Sequence, residues 1–399
     1  MISRIKLTNL FRFLVVVAAG GLIISCGPKA QKPTSQLDTP EHHTFTGMRL
    51  LNQEKFVDAG REFDLALRLD PRYSKAHAGI GLVKAYQGDF AGGLEAMKQA
   101  DKNAKSDEEK VFAQVGYIRV NTLSNAGCLR VGTECKPDAE WLENAKSAFD
   151  KAVLIDPKAS AAYYFMGEAW LSAFDLDKAA AMFSKVLGLN TEYVKEADNR
   201  WKLVQKIQRA MPGTVTGKKI ALVEKITRAD AAALFLEELK IDVLYARRTP
   251  KTFDTAFKDP DAAKQVKPAR APATDIATHP LKADIDEVVR IGMRGLEPYP
   301  DGTFRPDGLV NRATYAMMVE DILIKVSGDN ALATKFIGTT SPFPDLRADL
   351  PYFNAVMVMT TRGLMEAKDM VSGEFAPMES VGGADALLVI RKMREELRF

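Results

Sequence analysis

The sequence predicts a mainly α-helical protein, in which a stack of helix pairs (an α-solenoid) is followed by a smaller helical region with short turns or hairpins. The first observation is a pattern of small, aromatic and proline residues that recurs about every 34 residues from about residue 40. The second is a pair of short stretches, Ile226–Asp230 and Val310–Thr314, each of which opens an apolar helical run. Because one helix pair cannot bury its own apolar face, the repeated pairs must stack on one another.

The N-terminus combines basic residues, a short apolar run and a cysteine. Basic residues precede an apolar run at 14–24, which is too short for a spanning helix of about 20 residues. Ile23–Cys26 resembles a lipobox, and this resemblance implies a signal peptide at 1–25 and lipid on Cys26. Several acyl chains would hold the protein stably at a membrane. An uncleaved anchor, or a plain signal followed by an incidental cysteine, is the alternative.

The residues that follow Cys26 indicate where the protein would be held. Gly27, rather than Asp, comes next, and by the rule for this class in diderm bacteria it implies an outer-membrane lipoprotein that faces the periplasm. The segment 26–40 is polar and rich in Pro, Lys, Gln, Ser and Thr, so it predicts a flexible tether. The net charge is +3 with both signs interspersed, which gives no electrostatic case for nucleic acid as a partner.

The two remaining cysteines are close in sequence. Cys128 and Cys135 lie in a glycine-containing segment, and an oxidising compartment would permit a disulfide between them. Two free thiols in a loop are the alternative. The four histidines show no ligand spacing with these cysteines, so we predict no metal site and no cofactor.

The segment 41–211 carries the 34-residue pattern. Small residues would let paired helices approach closely, phenylalanines would fill the space between pairs, and Asp-Pro steps would end helices. The matching positions are Gly47, Ala59, Phe63, Ala66, Pro71, Ala145, Phe149, Ala152, Pro157, Tyr163, Gly167, Trp170, Ala179 and Phe183. These positions resemble tetratricopeptide (TPR) repeats, about four pairs of helices, closed by a capping helix at 191–211. The resemblance implies a concave surface that binds a protein partner.

In repeats of this kind the first helix of each pair usually faces the partner. Lys75, Tyr164 and Glu168 are the corresponding candidates for protein binding here. The alternative is that Tyr164 is simply packed and that the two charges are solvated.

The C-terminal region holds two and a half copies of a second pattern, at 212–245, 273–328 and 341–399. The copy at 273–328 is the fullest, since a helix ending in Gly is followed by the turn Asp301–Pro306 and the helix start Asn311–Thr314. These motifs resemble the surface-layer homology (SLH) module. The resemblance implies binding to peptidoglycan or to an anionic glycan linked to it.

Arginines at the helix starts are the candidate polymer-binding residues. Arg228 and Arg312 occupy the family's arginine position, and Arg305 would add charge near the turn. A guanidinium matches a carboxylate at two points, and a helix N-terminus adds favourable potential for an anion. The alternative is that these arginines fix the module's own loops. Gly383 stands where a third arginine would be, so we expect no binding of this kind in the last copy.

The segment 246–272 separates the half-copy from the full copy. It contains several basic residues and prolines, with little periodic apolar pattern. It is interpreted as a solvated linker or, alternatively, as a basic strip that meets anionic glycan or lipid headgroups.

Together, these features favour a non-enzymatic envelope lipoprotein that tethers a membrane to the cell wall and scaffolds a protein partner through its repeats. The alternative is a pilotin-like assembly factor for an outer-membrane secretion or pilus system, in which the SLH-like region is only structural. No nucleophile, metal signature or complete phosphate loop stands out in the sequence, so we do not expect an enzyme.

Overall fold

The computed structural model describes residues 31–33, 35–36, 38–126, 140–248 and 273–397. The described chain is built from helices, and its only extended pairings are two isolated bridges, so the predicted fold class is confirmed. Cys26, Cys128 and Cys135 lie outside the described residues, as do the signal peptide and nearly all of the linker at 246–272.

Sixteen α-helices are numbered here in chain order over the described residues. They are α1 (Pro40–Asn52), α2 (Phe56–Leu69), α3 (Ser74–Tyr86), α4 (Phe90–Asn103), α5 (Asp107–Ala126), α6 (Trp141–Ile155), α7 (Ser160–Ser172), α8 (Leu176–Leu189), α9 (Val194–Ala210), α10 (Val215–Ala221), α11 (Arg228–Ala233), α12 (Ile241–Arg248), α13 (Lys282–Ile291), α14 (Arg312–Ser327), α15 (Phe353–Thr361) and α16 (Gly383–Glu396). A π-helical turn, Leu234–Glu238, continues α11, and a 3-10 turn, Asn330–Thr334, follows α14.

The chain forms two compact units. Among the described residues, the first unit comprises those up to Ser124 together with Glu143–Ala162. The second comprises Asn125, Ala126, Glu140–Leu142 and those from Tyr163 onward. The second unit therefore contains α8 and α9 as well as the helices of the SLH-like copies.

In the first unit, the recurrent glycines make room for a buried aromatic ring. A Cβ placed on Gly47 of α1 would lie 2.6 Å from the ring of Phe63, and one on Gly79 of α3 would collide with the same ring. Phe63 is fully buried as a result. This small-against-large packing is compatible with the repeat pattern in the sequence.

Helices α2 and α6 are each followed by an Asp-Pro step, and the aspartate makes the same local hydrogen bond in both. The carboxylate of Asp70 accepts a hydrogen bond from the amide of Arg72, and the carboxylate of Asp156 accepts one from the amide of Lys158, both at 2.9 Å. Such a turn gives the chain an alternative to continuing the helix. Each step therefore closes one helix before the next begins.

The second unit begins with a similar helix pair and then changes architecture. Gly167 of α7 admits the buried ring of Phe183 of α8, whose nearest atom would lie 2.6 Å from an added Cβ. Helix α9 ends at Met211 in a left-handed conformation, and it packs against α16. The centre of the SLH-like helices is filled by Phe235 and Tyr315, whose rings stack at 5.5 Å.

Three backbone segments, one from each SLH-like copy, join in a closed ring of hydrogen bonds. The amide of Ile226 donates to the carbonyl of Val381, that of Val381 to Val310, and that of Val310 to Ile226, at 2.9–3.0 Å. Each of these three side chains is buried. The half-copy at 212–245 thus supplies one third of a cyclic arrangement, and each copy completes the backbone pairing of the other two.

Candidate functional site

Arg228 starts α11 and inserts its side chain into the loop of the following copy. Its Nε donates to the carbonyl of Phe304 at 2.9 Å, Nη1 to Gly295 at 2.6 Å and Nη2 to Glu297 at 2.9 Å. The guanidinium also lies 4.6 Å from the centre of the Phe304 ring. Burial lowers the pKa of this arginine, and only 9% of the residue is exposed. All three guanidinium nitrogens are therefore engaged in holding a loop.

Arg312 starts α14 and repeats this arrangement one copy later, with one difference. Its Nε donates to the carbonyl of Phe375 at 2.7 Å and its Nη2 to that of Glu366 at 2.6 Å, while the ring of Phe375 lies 4.4 Å away. Within the described part of the chain, its Nη1 makes no hydrogen bond. Arg312 therefore combines loop-holding contacts with one spare donor.

Both loops are held from the other side by an aspartate near the start of each copy, which sequence analysis did not single out as a site residue. The Asp275 carboxylate accepts from the amides of Phe304 and Arg305, each at 2.7 Å. Asp345 accepts in the same way from the amides of Phe375 and Ala376, at 2.9 and 2.6 Å. Burial opposes ionisation of Asp275, but these amide hydrogen bonds outweigh it and lower the pKa.

The helix N-termini are also occupied by the protein itself. The amides of Arg228 and Ala229 donate to the carbonyls of Gly308 and Pro306 at 2.8 and 3.1 Å. The first two amides of α14 donate to Glu379 and Pro377 in the same way. An anion would therefore have to displace backbone carbonyls to reach these amides, so the geometry supports the loop-fixing alternative for Arg228.

A steric constraint explains why Gly383, rather than an arginine, starts α16. The amide of Gly383 donates to the carbonyl of Val223 at 2.8 Å, and a Cβ on Gly383 would collide with the carbonyl oxygen of Ile220. The half-copy has no long loop between α10 and α11, so there is no pocket for an arginine to enter. Helix α16 instead approaches the end of α10 directly.

Arg305 is the exposed member of the predicted set. Its guanidinium lies 4.1 Å from the centre of the Tyr299 ring and donates through Nη2 to Asp301 at 3.0 Å. Hydrogen bonds from Thr303 and Arg305 lower the pKa of Asp301 to about 2. The Arg305 side chain is 57% exposed, but it is engaged by this aspartate and this ring.

A groove lies beside Arg312, with a cavity volume of about 380 Å³. It is lined by five cationic side chains and two carboxylates, giving a formal charge of +3. These charged residues are Lys206, Arg209, Arg312, Lys368, Lys392, Glu366 and Asp385. Four of the five cations were not singled out by sequence analysis, because exposed lysines and arginines on helices carry no local signal that distinguishes a groove from a solvated face.

The predicted protein-binding residues are held by contacts within the protein. Lys75 forms an ion pair with Glu108 of α5 in the first unit. In the second unit, the Tyr164 ring stacks on that of Tyr193 at 4.9 Å, and Glu168 pairs with Arg200 at 3.0 Å.

These surroundings also change how two of these residues ionise. Burial raises the pKa of Glu168, against the effect of Arg200. Burial and the neighbouring Glu168 raise the pKa of Tyr164 to about 12. The geometry matches the packed alternative for Tyr164, and Glu168 is held in a partly buried ion pair rather than freely solvated.

No group of three or more metal-ligating side chains occurs among the residues that the structure describes. No helix in the same part of the chain is both long and apolar enough to cross a bilayer.

Comparison with known proteins identifies a match to one protein family. Residues 296–316 match the S-layer homology domain. The match covers most of the loop that receives Arg228, the turn that carries Arg305 and the start of α14 with Arg312. It confirms the SLH part of the predicted resemblance and supports an association with the cell wall or cell surface. A search of curated proteins gave no match.

Proposed function

We propose that the protein is a non-enzymatic envelope lipoprotein whose C-terminal unit binds an anionic cell-wall polymer. The observation that carries this proposal is the cationic groove beside Arg312, next to the segment that matches the S-layer homology domain. The formal charge of +3 favours a polymer that bears carboxylates or phosphates.

Within the groove, Arg312 is the predicted arginine best suited to contact a ligand. Its Nε and Nη2 fix its position on the carbonyls of Phe375 and Glu366, and its Nη1 remains available. A donor that is already fixed in place loses little conformational freedom when a ligand arrives. Arg228, by contrast, serves to hold the loop at 295–304, and Arg305 acts at most as an exposed auxiliary charge.

The remaining parts of the proposal rest on sequence. Lipid on Cys26 would place the N-terminus in a membrane, with the outer membrane and its periplasmic face as the proposed site. The TPR-like helix pairs would recruit a protein partner. The compatible helix-pair packing around Phe63 and Phe183 supports this arrangement.

The test is co-sedimentation of the full chain with purified sacculi. The chain carries Cys26→Ser, which removes the lipidation site and keeps the protein in solution. Half of the sacculi are stripped of attached polymers, which separates binding to peptidoglycan from binding to a linked glycan. Lys368→Gln should weaken binding and make the remaining binding less dependent on salt, because Lys368 lines the groove, its side chain is 48% exposed and the variant has one fewer charge for salt to screen. Lys282→Gln is the matched control, since Lys282 is equally exposed and ion-paired but lies on α13, outside the groove.

Unchanged binding of Lys368→Gln would argue against the groove, and no binding of either sacculus preparation would remove the anchoring function. In that last case, co-purification with an outer-membrane channel would favour the assembly-factor alternative.

A further inference from the structure

Helix α9 lies outside the SLH-like copies, yet it forms one wall of the groove. Lys206 and Arg209 are three positions apart, which places them on the same side of the helix. The neighbouring Val204 and Ile207 are fully buried and fix the orientation of this side. The two cations therefore have a defined position opposite α16.

An ion pair joins α9 to α16 across the groove. Lys206 Nζ lies 2.6 Å from Asp385 Oδ1 of α16, and both side chains are about one-third exposed. In the half-copy, the equivalent Asp230 accepts a hydrogen bond from the amide of its own N-cap, Thr227, at 2.9 Å. Asp385 makes no such bond to Gly382 within the described residues, and its carboxylate reaches across to Lys206 instead.

The other α9 cation has no such partner. No described carboxylate forms an ion pair with Arg209, although it lines the same cavity as Lys206. An arginine in this position offers a planar pair of donors for a carboxylate or phosphate. Arg209 and the Nη1 of Arg312 thus provide donors that the described residues leave unused.

We propose that α9 supplies half of the polymer-binding site, with Lys206 and Arg209 as specificity-determining residues and Asp385 as an internal competitor for the ligand's anionic group. This inference rests on the proposed function. When a carboxylate or phosphate enters the groove, it replaces Asp385 as the partner of Lys206 and takes the donors of Arg209. Polymer binding therefore breaks the ion pair between Lys206 of α9 and Asp385 of α16.

Substitutions at Lys206 and at Asp385, the two members of one ion pair, should change sacculus binding in opposite directions. Lys206→Gln and Arg209→Gln each remove a cation from the site, so each should weaken sacculus binding by about 3- to 10-fold. Asp385→Asn removes the competing carboxylate and frees Lys206, so it should strengthen binding by about 2- to 5-fold. If the pair only held the helices together, both halves would change binding in the same direction.

Binding isotherms on sacculi are measured for the full chain carrying Cys26→Ser. This protein, the three variants made in it and two controls are compared. Lys282→Gln and Arg290→Gln are the controls, since both residues are exposed, ion-paired and lie on α13. Circular dichroism melts verify that each variant is folded. Competition by N-acetylmuramic acid, N-acetylglucosamine and inorganic phosphate identifies a carboxylate, a neutral sugar or a phosphate as the recognised group.

Weaker binding by Lys206→Gln and Arg209→Gln together with stronger binding by Asp385→Asn supports the proposal. Wild-type-like binding by folded Lys206→Gln and Arg209→Gln overturns it and leaves the anchoring function standing. A parallel loss in Lys206→Gln and Asp385→Asn also overturns it and makes the pair structural. If the wild type itself fails to bind sacculi, the anchoring function and this inference fall together.

Discussion

Arg228 donates a 2.9 Å hydrogen bond to the carbonyl of Phe304, 76 residues further along the chain, while its guanidinium lies against the ring of the same residue. Arg312 and Phe375 form the same pair one copy later, at 2.7 Å. Each arginine thus belongs to one copy by sequence and holds the loop of the next. Neighbouring copies are therefore parts of one folded arrangement.

Arg228→Ala should reduce the free energy of unfolding by about 3 kcal/mol or more, because one buried and two partly buried carbonyls lose a charged donor. Arg305→Ala is the control, and it should change the same quantity by less than about 1 kcal/mol, since its ion pair is exposed. Urea denaturation of both variants provides the measurement. Equal losses of stability would show that Arg228 does not hold the loop.

Gly383→Ala should destabilise the C-terminal unit by about 1–3 kcal/mol, because the added Cβ meets the rigid carbonyl of Ile220 and must displace backbone. Gly188→Ala in α8 is the matched change, since no atom lies within 4 Å of its added Cβ. In that helix, alanine should stabilise by up to about 1 kcal/mol. Thermal denaturation compares the two, and a stabilised Gly383→Ala protein would contradict the proposed steric cause.

His43 should give the first unit a pH-dependent stability. Its Nδ1 lies 2.7 Å from Glu62 and its Nε2 2.9 Å from Asp38, so both nitrogens donate only when the ring is charged. Burial alone would lower its pKa, but the hydrogen bonds to the two carboxylates outweigh this effect and raise it above 6.5.

Because the folded pKa of His43 is the higher one, its stabilisation is fully present below about pH 6.5 and disappears as the pH rises through the folded value. Melting temperatures between pH 5.5 and 9 should therefore fall more steeply with pH in the wild type than in His43→Gln. The neighbouring, exposed His42 is replaced by Gln as the control. Parallel curves for wild type and His43→Gln would rule out this contribution.

Glu238→Ala should lower stability by about 1–3 kcal/mol, since it leaves two backbone donors and a hydroxyl without their acceptor. The Glu238 carboxylate accepts from the amides of Gly213 and Thr214 and from the Thr214 hydroxyl, at 2.7–3.1 Å. Glu237→Ala is the adjacent control. It should be neutral or slightly stabilising, because the pKa of Asp284 is raised by burial and, in addition, by repulsion from Glu237. Chemical denaturation distinguishes the two outcomes.

The helix pairs could be predicted because their signals are local. Gly47 and Phe63 mark a close approach and the ring that fills it, and Asp70 and Asp156 each end a helix through a bond to an amide two residues later. The turn at Asp301–Pro306 and the helix start at Asn311 were equally visible, and the family match at 296–316 confirms them.

The roles of individual charged residues could not be predicted in the same way. Arg228 and Arg312 look equivalent in sequence, yet one uses all three guanidinium nitrogens on backbone carbonyls and the other keeps Nη1 free among the described residues. Lys206 and Arg209 resemble any solvated helix charges until α16 is placed against α9.

Local patterns in the sequence were enough to predict the helical pairs, the turn motif and the positions of the motif arginines, because helix propensity, capping and turn chemistry depend on neighbours a few residues away. The folded arrangement was needed to show which carbonyls those arginines hold, why Gly383 must lack a side chain, and which cations share a groove. These are steric and electrostatic relationships between segments that are tens to hundreds of residues apart, such as Lys206 and Asp385, and no local pattern encodes them.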